Sequence, residues 1–122
     1  MNDYIVRQGD QYSIPFPILV DDYIITDELL NSGNADTDGD VEIVIGKLRK
    51  TLRNGEIKFN SVTYTFDFPL TQDETFALRP GMRLRSQVRV KLRSFNSNEN
   101  NLIFSYDGPN IFIKQSISKE NI

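Results

Sequence analysis

The sequence predicts an all-β protein, an antiparallel β-sandwich of about 7–9 short strands with one helical turn near residues 71–78. Three observations carry this. From Met82 to Phe95 two patterns interleave at period two. Leu84, Ser86, Val88, Val90 and Leu92 share one parity, while Arg83, Arg85, Gln87, Arg89, Lys91 and Arg93 share the other. Such alternation is the mark of a half-buried strand, whereas a helix would scatter the arginines around its circumference. Second, apolar stretches recur about every 8–12 residues with Gly, Asn, Asp and Pro between them, the rhythm of an all-β sandwich. Third, the chain has eight Phe and five Tyr, residues that favour strands.

The elements follow in order. Asp3 to Gln8 is a short strand, closed by a turn or bulge at Gly9-Asp10. Tyr12, Ile14, Phe16, Ile18 and Val20 then alternate inward, with Pro15 and Pro17 on the opposite parity. Proline cannot donate to a ladder, so this strand belongs at a sheet edge, where it also blocks unwanted pairing. Asp21 to Leu30 combines a possible strand, Tyr23 to Ile25, with a possible helical start at Thr26-Asp27-Glu28. Asn31 to Asp40 is a polar loop. Val41, Ile43 and Ile45 point inward from the next strand. Asn54-Gly55 favours a type I′ hairpin turn, after which Glu56 to Phe59 is expected to pair back on the preceding strand. Asn60-Ser61 is a second tight turn, and Val62, Tyr64, Phe66, Phe68 and Leu70 alternate along an aromatic-rich strand. Thr71 with Glu74 fits a capping box and predicts the helical turn, which Pro80-Gly81 closes. Met82 to Phe95 is read as one central strand of roughly 40 Å at about 3.3 Å per residue. Asn96 to Asn101 is a hairpin loop, Leu102 to Tyr106 pairs back, Asp107 to Asn110 turns, and Ile111 to Ser116 is the last strand. This succession fits a sandwich of immunoglobulin-like type. The expected core is Ile14, Phe16, Ile18, Ile43, Ile45, Tyr64, Phe66, Phe68, Val88, Val90 and Leu92.

A chain of 122 residues implies one domain, placed at residues 1–117, with 118–122 as a polar tail. There is no Cys, which excludes disulfides and thiolate chemistry, and no His, the usual general base and transition-metal ligand. The first ten residues lack a basic region followed by an apolar core, so no signal peptide is expected. No apolar run approaches the ~18 residues of a membrane span. Charge is unevenly distributed: Gln8 to Gly46 holds nine acids and no base, whereas Lys47 to Arg93 holds eleven bases and four acids. The molecule is polarised along its sequence.

One block is familiar. The stretch from Asp40 to Arg93 resembles small proteins encoded in the tail and baseplate regions of phages and prophages of Firmicutes. The features that carry this are a strand ending Ile45-Gly46, a hairpin pair, the block Phe68-Pro69-Leu70-Thr71-Gln72-Asp73-Glu74-Thr75, then Pro80-Gly81 and the strand Gln87-Val88-Arg89-Val90. The opening Val6-Arg7-Gln8-Gly9-Asp10 with its apolar strand is similar to the N-terminal module of phage baseplate upper proteins, and the closing strand followed by Ser118-Lys119-Glu120 is similar as well. Phe68 to Thr75 is the most specific of these. The resemblance implies an immunoglobulin-like fold and a structural, non-enzymatic place in the virion after assembly in the host cytoplasm. It brings no catalytic residues. The polar stretches Asn31–Asp38 and Asn96–Asn101 depart from the pattern.

The candidate sites divide as follows. Arg83, Arg85, Arg89, Lys91 and Arg93 form a basic stripe that is either a solvated sheet face or a docking surface for an acidic neighbour. The expected partners are other virion proteins and the chain itself, with acidic and basic halves meeting head to tail. Nucleic acid ranks low, because the pI is near 4.9 and no aromatic interleaves with the arginines; a membrane is not expected. Asp36, Asp38 and Asp40 alternate as hard oxygen ligands could, but the EF-hand spacing fails and a plain turn is the simpler reading. Asp21-Asp22 and Asp73-Glu74 are the adjacent carboxylates from which a catalytic pair would be drawn. No phosphate-binding or dinucleotide motif is present, so neither catalysis nor a cofactor is expected. The alternative to a virion building block is a carbohydrate-binding module stacking sugars on Tyr4, Tyr12, Tyr23, Tyr64 or Tyr106. Against it, Tyr12 and Tyr64 share parity with core residues and are expected to be buried.

Overall fold

Three sheets and a two-stranded ribbon pack around one apolar cluster, and two of the sheets share a kinked hairpin. The computed structural model describes residues 4–20, 22–30, 39–91, 103–118 and 120, with only the backbone described at Val20 and Leu29. The hairpin has two arms, each in two parts. One is β9 (Arg83–Leu84) and β10 (Ser86–Lys91); the other is β11 (Ile103–Asp107) and β12 (Ile111–Lys114). β10 pairs antiparallel with β11, and β9 with β12. On one side, β1 (Tyr4–Arg7) runs parallel to β12. On the other, β5 (Asp40–Ile45) pairs with β10, and β6 (Leu48–Thr51) with β5. The facing sheet has the order β2 (Tyr12–Phe16), β8 (Thr65–Leu70), β7 (Lys58–Asn60). This is the all-β sandwich the strand succession predicted. Antibody domains fix their two sheets with a disulfide packed on a tryptophan. This chain has neither Cys nor Trp. Its core is instead built from apolar side chains, among them Ile14, Phe16, Phe66 and Phe68 from the β2–β8–β7 side and Ile43, Ile45, Val88, Val90, Ile111 and Ile113 from the other.

The stretch expected to be one central strand is broken at Arg85. Ser86, 3% exposed, has its carbonyl bonded by the Gly108 N–H at 3.0 Å, and its hydroxyl donates to the Pro109 carbonyl. A Cβ on Gly108 would stand 2.4 Å from the Ser86 hydroxyl and 2.9 Å from the Phe16 ring, so glycine is what lets the arms close here. The breaks on the two arms face each other. Like paired bulges, they turn the lower half of the hairpin out of line with the upper half, and the lower half takes β1 as its neighbour. Parity survives the break: Leu84, Ser86, Val88 and Val90 turn inward, while Arg83, Arg85, Gln87 and Arg89 are exposed.

Local chemistry accounts for most other elements. β2 is an edge strand, as Pro15 requires. Val20 and Tyr23 close a hairpin between β3 (Leu19–Val20) and β4 (Tyr23–Ile24), and the one-turn α1 (Asp27–Leu30) follows. The helix α2 (Gln72–Ala77) carries the full capping box: the Thr71 hydroxyl accepts from the Glu74 N–H at 3.1 Å and the Glu74 carboxylate accepts from the Thr71 N–H at 2.9 Å. Glu74 also receives the Lys50 ammonium at 2.8 Å, which donates in addition to the Pro69 carbonyl at 2.6 Å and so links β6 to the facing sheet. Burial pushes the Glu74 pKa up, but the Lys50 and Thr71 bonds outweigh it and hold the carboxyl below its ordinary value of 4.5. Because the folded value is the lower one, the stabilisation is complete above about pH 4.5 and fades as pH falls through the folded value. Glu74→Gln is therefore expected to cost about 1–2 kcal/mol at pH 7 and far less at pH 3. Urea unfolding of both proteins at the two pH values checks this.

Three expectations are corrected. Asn54-Gly55 does not make a hairpin: only Gly55 has positive φ (+74°), and β7 pairs with β8 in the facing sheet. The segment instead crosses between sheets, with the Ile57 N–H on the Thr51 carbonyl and Ile57 itself buried. The two-residue hairpin lies earlier, where Ile45 pairs with Leu48 and Gly46 has φ +58°. Second, Tyr64 is not core: it is 52% exposed with φ +56°. The Asn60 side-chain oxygen accepts from the N–H groups of Val62 (2.9 Å) and Thr63 (3.3 Å), which extends the turn and delays β8 to Thr65. Third, Tyr12 is 43% exposed at the first residue of its strand, although it lies opposite the buried Leu70. The expected core residue Leu92 lies outside the described residues. Among the described residues, no helix is long and apolar enough to cross a membrane.

Candidate functional site

The basic stripe is the natural place to begin, and strand pairing changes its character. β5, from the acidic half of the sequence, is the neighbour of β10, from the basic half. The register sets Arg89 opposite Glu42, Lys91 opposite Asp40, and, on the other side, Gln87 opposite Asp107. Glu42 binds the Arg49 guanidinium and stands 3.8 Å from that of Arg89. Its side chain is 16% exposed, against 59% for Arg49 and 55% for Arg89. A carboxylate set between two guanidiniums offsets much of their field, so the upper half of this face is a mixed charge ladder. Opposite charges across strands stabilise such a ladder by a few tenths of a kcal/mol to about 1 kcal/mol each.

The lower half differs. There Ile5 lies opposite Phe112, and Phe112 opposite Arg83, in one row across three strands; Arg7 lies opposite Lys114 in the next. Ile5 is 61% exposed and Met82, just before β9, 41%. Arg7 donates to the Gln115 carbonyl at 3.2 Å, and its side chain borders a shallow groove with Pro80, Phe112 and Lys114. This is an apolar strip with a basic rim. The five stripe residues therefore have different surroundings: Arg83 belongs to this strip, Arg85 is exposed at the break, Arg89 and Lys91 lie in the charge ladder, and Arg93 is outside the described residues.

The metal candidates also separate. Asp36 and Asp38 lie outside the described residues. One Asp40 oxygen accepts the N–H groups of Val41 at 2.8 Å and Arg53 at 3.0 Å, tying the start of β5 to the turn after β6. Among the described residues there is no group of three or more carboxylates placed to hold a metal ion. Of the carboxylate pairs, Asp21 is outside the described residues, and Glu74 is committed to Thr71 and Lys50.

Two features escaped sequence reasoning. One is an apolar groove of about 210 Å³ at the open edge between β2 and β11, lined by Tyr4, Pro15, Phe16, Pro17, Tyr106 and Pro109. The Tyr106 hydroxyl donates to the Pro17 carbonyl at 3.2 Å. Burial pushes its pKa up to about 12, so it remains a donor at neutral pH. The parity of Phe104 and Tyr106 is the only sequence signal for it. The other is a polar knot joining the turn after β1 to α2. Thr75, fully buried, accepts the Gly9 N–H at 2.9 Å and donates to the Asp10 carbonyl at 2.9 Å. Gln72 donates to the Gly9 carbonyl at 3.0 Å, and Gln8 to the Leu78 carbonyl at 2.9 Å. The segments Val6–Asp10 and Phe68–Thr75, singled out separately in the sequence, thus meet in space. No protein-family model, curated protein or solved structure matches the chain.

Proposed function

We propose that the chain is a non-enzymatic structural component of a phage or prophage particle, of the tail or baseplate type, that works through protein–protein contacts. The observation that carries this reading is the apolar strip of exposed Ile5 and half-buried Phe112 rimmed by Arg7, Arg83 and Lys114, since apolar surface with a polar rim marks a contact site. The meeting of the two resembling segments at the Gly9–Thr75 contact adds support, because it gives both one structural purpose. The test is made in the strain whose genome carries the sequence. Particles are induced and purified by density gradient, and their proteins are counted by mass spectrometry. The chain is expected at a constant ratio to the other particle proteins; recovery only in the particle-free fraction overturns the reading.

The groove favours a second reading, a carbohydrate-binding module for host-surface recognition, because two of its walls are Tyr4 and Tyr106. Against it, Tyr12, Tyr23 and Tyr64 are exposed on separate elements and do not converge with them. Glycan-array binding that Tyr106→Ala abolishes would establish this reading, and a blank array would remove it.

A further inference from the structure

The molecule carries a second exposed apolar surface, of opposite charge and at the other end. It is the β3–β4 hairpin with the start of α1. Leu19, 53% exposed, lies opposite Ile24, 47% exposed, on one face of the hairpin, Tyr23, 75% exposed, is on the other, and the exposed Asp22, Asp27 and Glu28 adjoin them along the chain. No base lies anywhere between Gln8 and Gly46 to balance these acids. The hairpin is anchored: Ile18 and Ile25 at its base are buried, and the Ile25 N–H bonds the Ile18 carbonyl at 2.8 Å.

Its place in the fold follows from its connections. The strand before it ends beside Tyr106, through Pro17. The helix after it returns through the Gly39 N–H on the Leu30 carbonyl to Asp40, which faces Lys91. The hairpin therefore sits at the Lys91 end of the long sheet. The basic strip sits at the Arg83 end, eight residues away along the same arm and beyond the break at Arg85.

From this we infer that the acidic hairpin of one copy docks on the basic strip of another, giving head-to-tail self-association. Three exposed carboxylates flanking the Leu19–Ile24 pair complement Arg7, Arg83 and Lys114 around Ile5 and Phe112, in charge and in apolar character. Because the two surfaces differ, the contact is heterologous, and each docking leaves one surface of each kind free. The product is a closed ring or an open filament. This rests on the reading of the chain as an assembly component, and specifies its partner as a second copy.

The experiment uses light scattering on the full chain and two variants, Arg83→Gln with Lys114→Gln, and Asp27→Asn with Glu28→Gln, each first checked for folding by circular dichroism. Wild type is expected to exceed monomer mass as concentration rises at about 50 mM salt and to revert toward monomer at about 500 mM, where screening shortens the reach of charge. Each variant alone is expected to remain monomeric. Their equimolar mixture is expected to form a 1:1 dimer and nothing larger, because it contains one intact surface of each kind. An isologous contact would give no such dimer. Wild type that stays monomeric at about 1 mM, the weak end of the affinity scale, overturns the inference, as does a mixture that fails to associate. A chain that is monomeric yet present in purified particles overturns self-association alone. A chain that assembles but is missing from particles overturns the particle reading alone.

Discussion

Phe68→Ala is expected to destabilise the protein by about 3–5 kcal/mol, the range for deleting a fully buried aromatic ring. Phe68 has no exposed surface. It stands at the middle of β8, the central strand of its sheet, opposite Ile14 on β2. The Lys50 ammonium lies 5.1 Å from its ring centroid, so the ring also serves the cation that joins β6 to Pro69 and Glu74. Removing it opens a cavity and withdraws a favourable partner from a half-buried charge. Small domains have about 5–15 kcal/mol of stability in total, so the loss should be visible as partial unfolding near 37 °C. In urea the midpoint should fall with the slope unchanged. A loss under about 1 kcal/mol would mean that the two sheets do not close on this ring.

The second large effect is expected at Thr75. Thr75→Val keeps the shape and removes the hydroxyl, which leaves the Gly9 N–H and the Asp10 carbonyl without their side-chain partner. A buried polar group left unpaired costs about 1–3 kcal/mol. Gly9→Ala attacks the same contact from the other side. Gly9 has φ +85°, and a Cβ there would stand 2.7 Å from the Phe76 ring. Strain at positive φ and overpacking each add about 1–3 kcal/mol. Since both changes displace the β1–β2 turn from α2, the double variant should cost less than the sum of the two singles by at least ~0.5 kcal/mol. Thermal unfolding of the four proteins in a double-mutant cycle tests this. Hydrogen exchange at the Gly9 amide gives an independent readout, with protection expected to drop in Thr75→Val. Additive costs with unchanged exchange would show that the turn and the helix are not coupled.

These sites show how far the sequence could be read. Wherever a signal is local it was legible. The capping box of Thr71 and Glu74 needs only three residues of separation, and α2 forms where it predicts. The edge position of β2 follows from the missing N–H of Pro15, whatever lies beside it. Inward parity along β5, β8 and β10 follows from the period-two geometry of a strand, and Ile43, Phe68, Val88 and Val90 are all buried. Tyr64 failed because parity was carried through the Asn60 side-chain turn, which resets it.

The charged stripe shows the other side. The sequence by itself determined an all-β sandwich chain with an acidic first half, a basic second half and an alternating run of arginines. Only the tertiary structure decided what those charges face. Strand pairing joins residues some 50 positions apart, and local periodicity carries no information about which strand becomes the neighbour. By setting Glu42 beside Arg89 and Asp40 beside Lys91, the fold pairs charge within the upper sheet face. By breaking the hairpin at Arg85 and bringing β1 alongside β12, it gathers Arg7, Arg83 and Lys114 around Ile5 and Phe112 at the opposite end. A polarity spread along the sequence thus becomes two separate surfaces in space, because cross-strand register, which no single strand encodes, sets the distance between every charge and its neighbour.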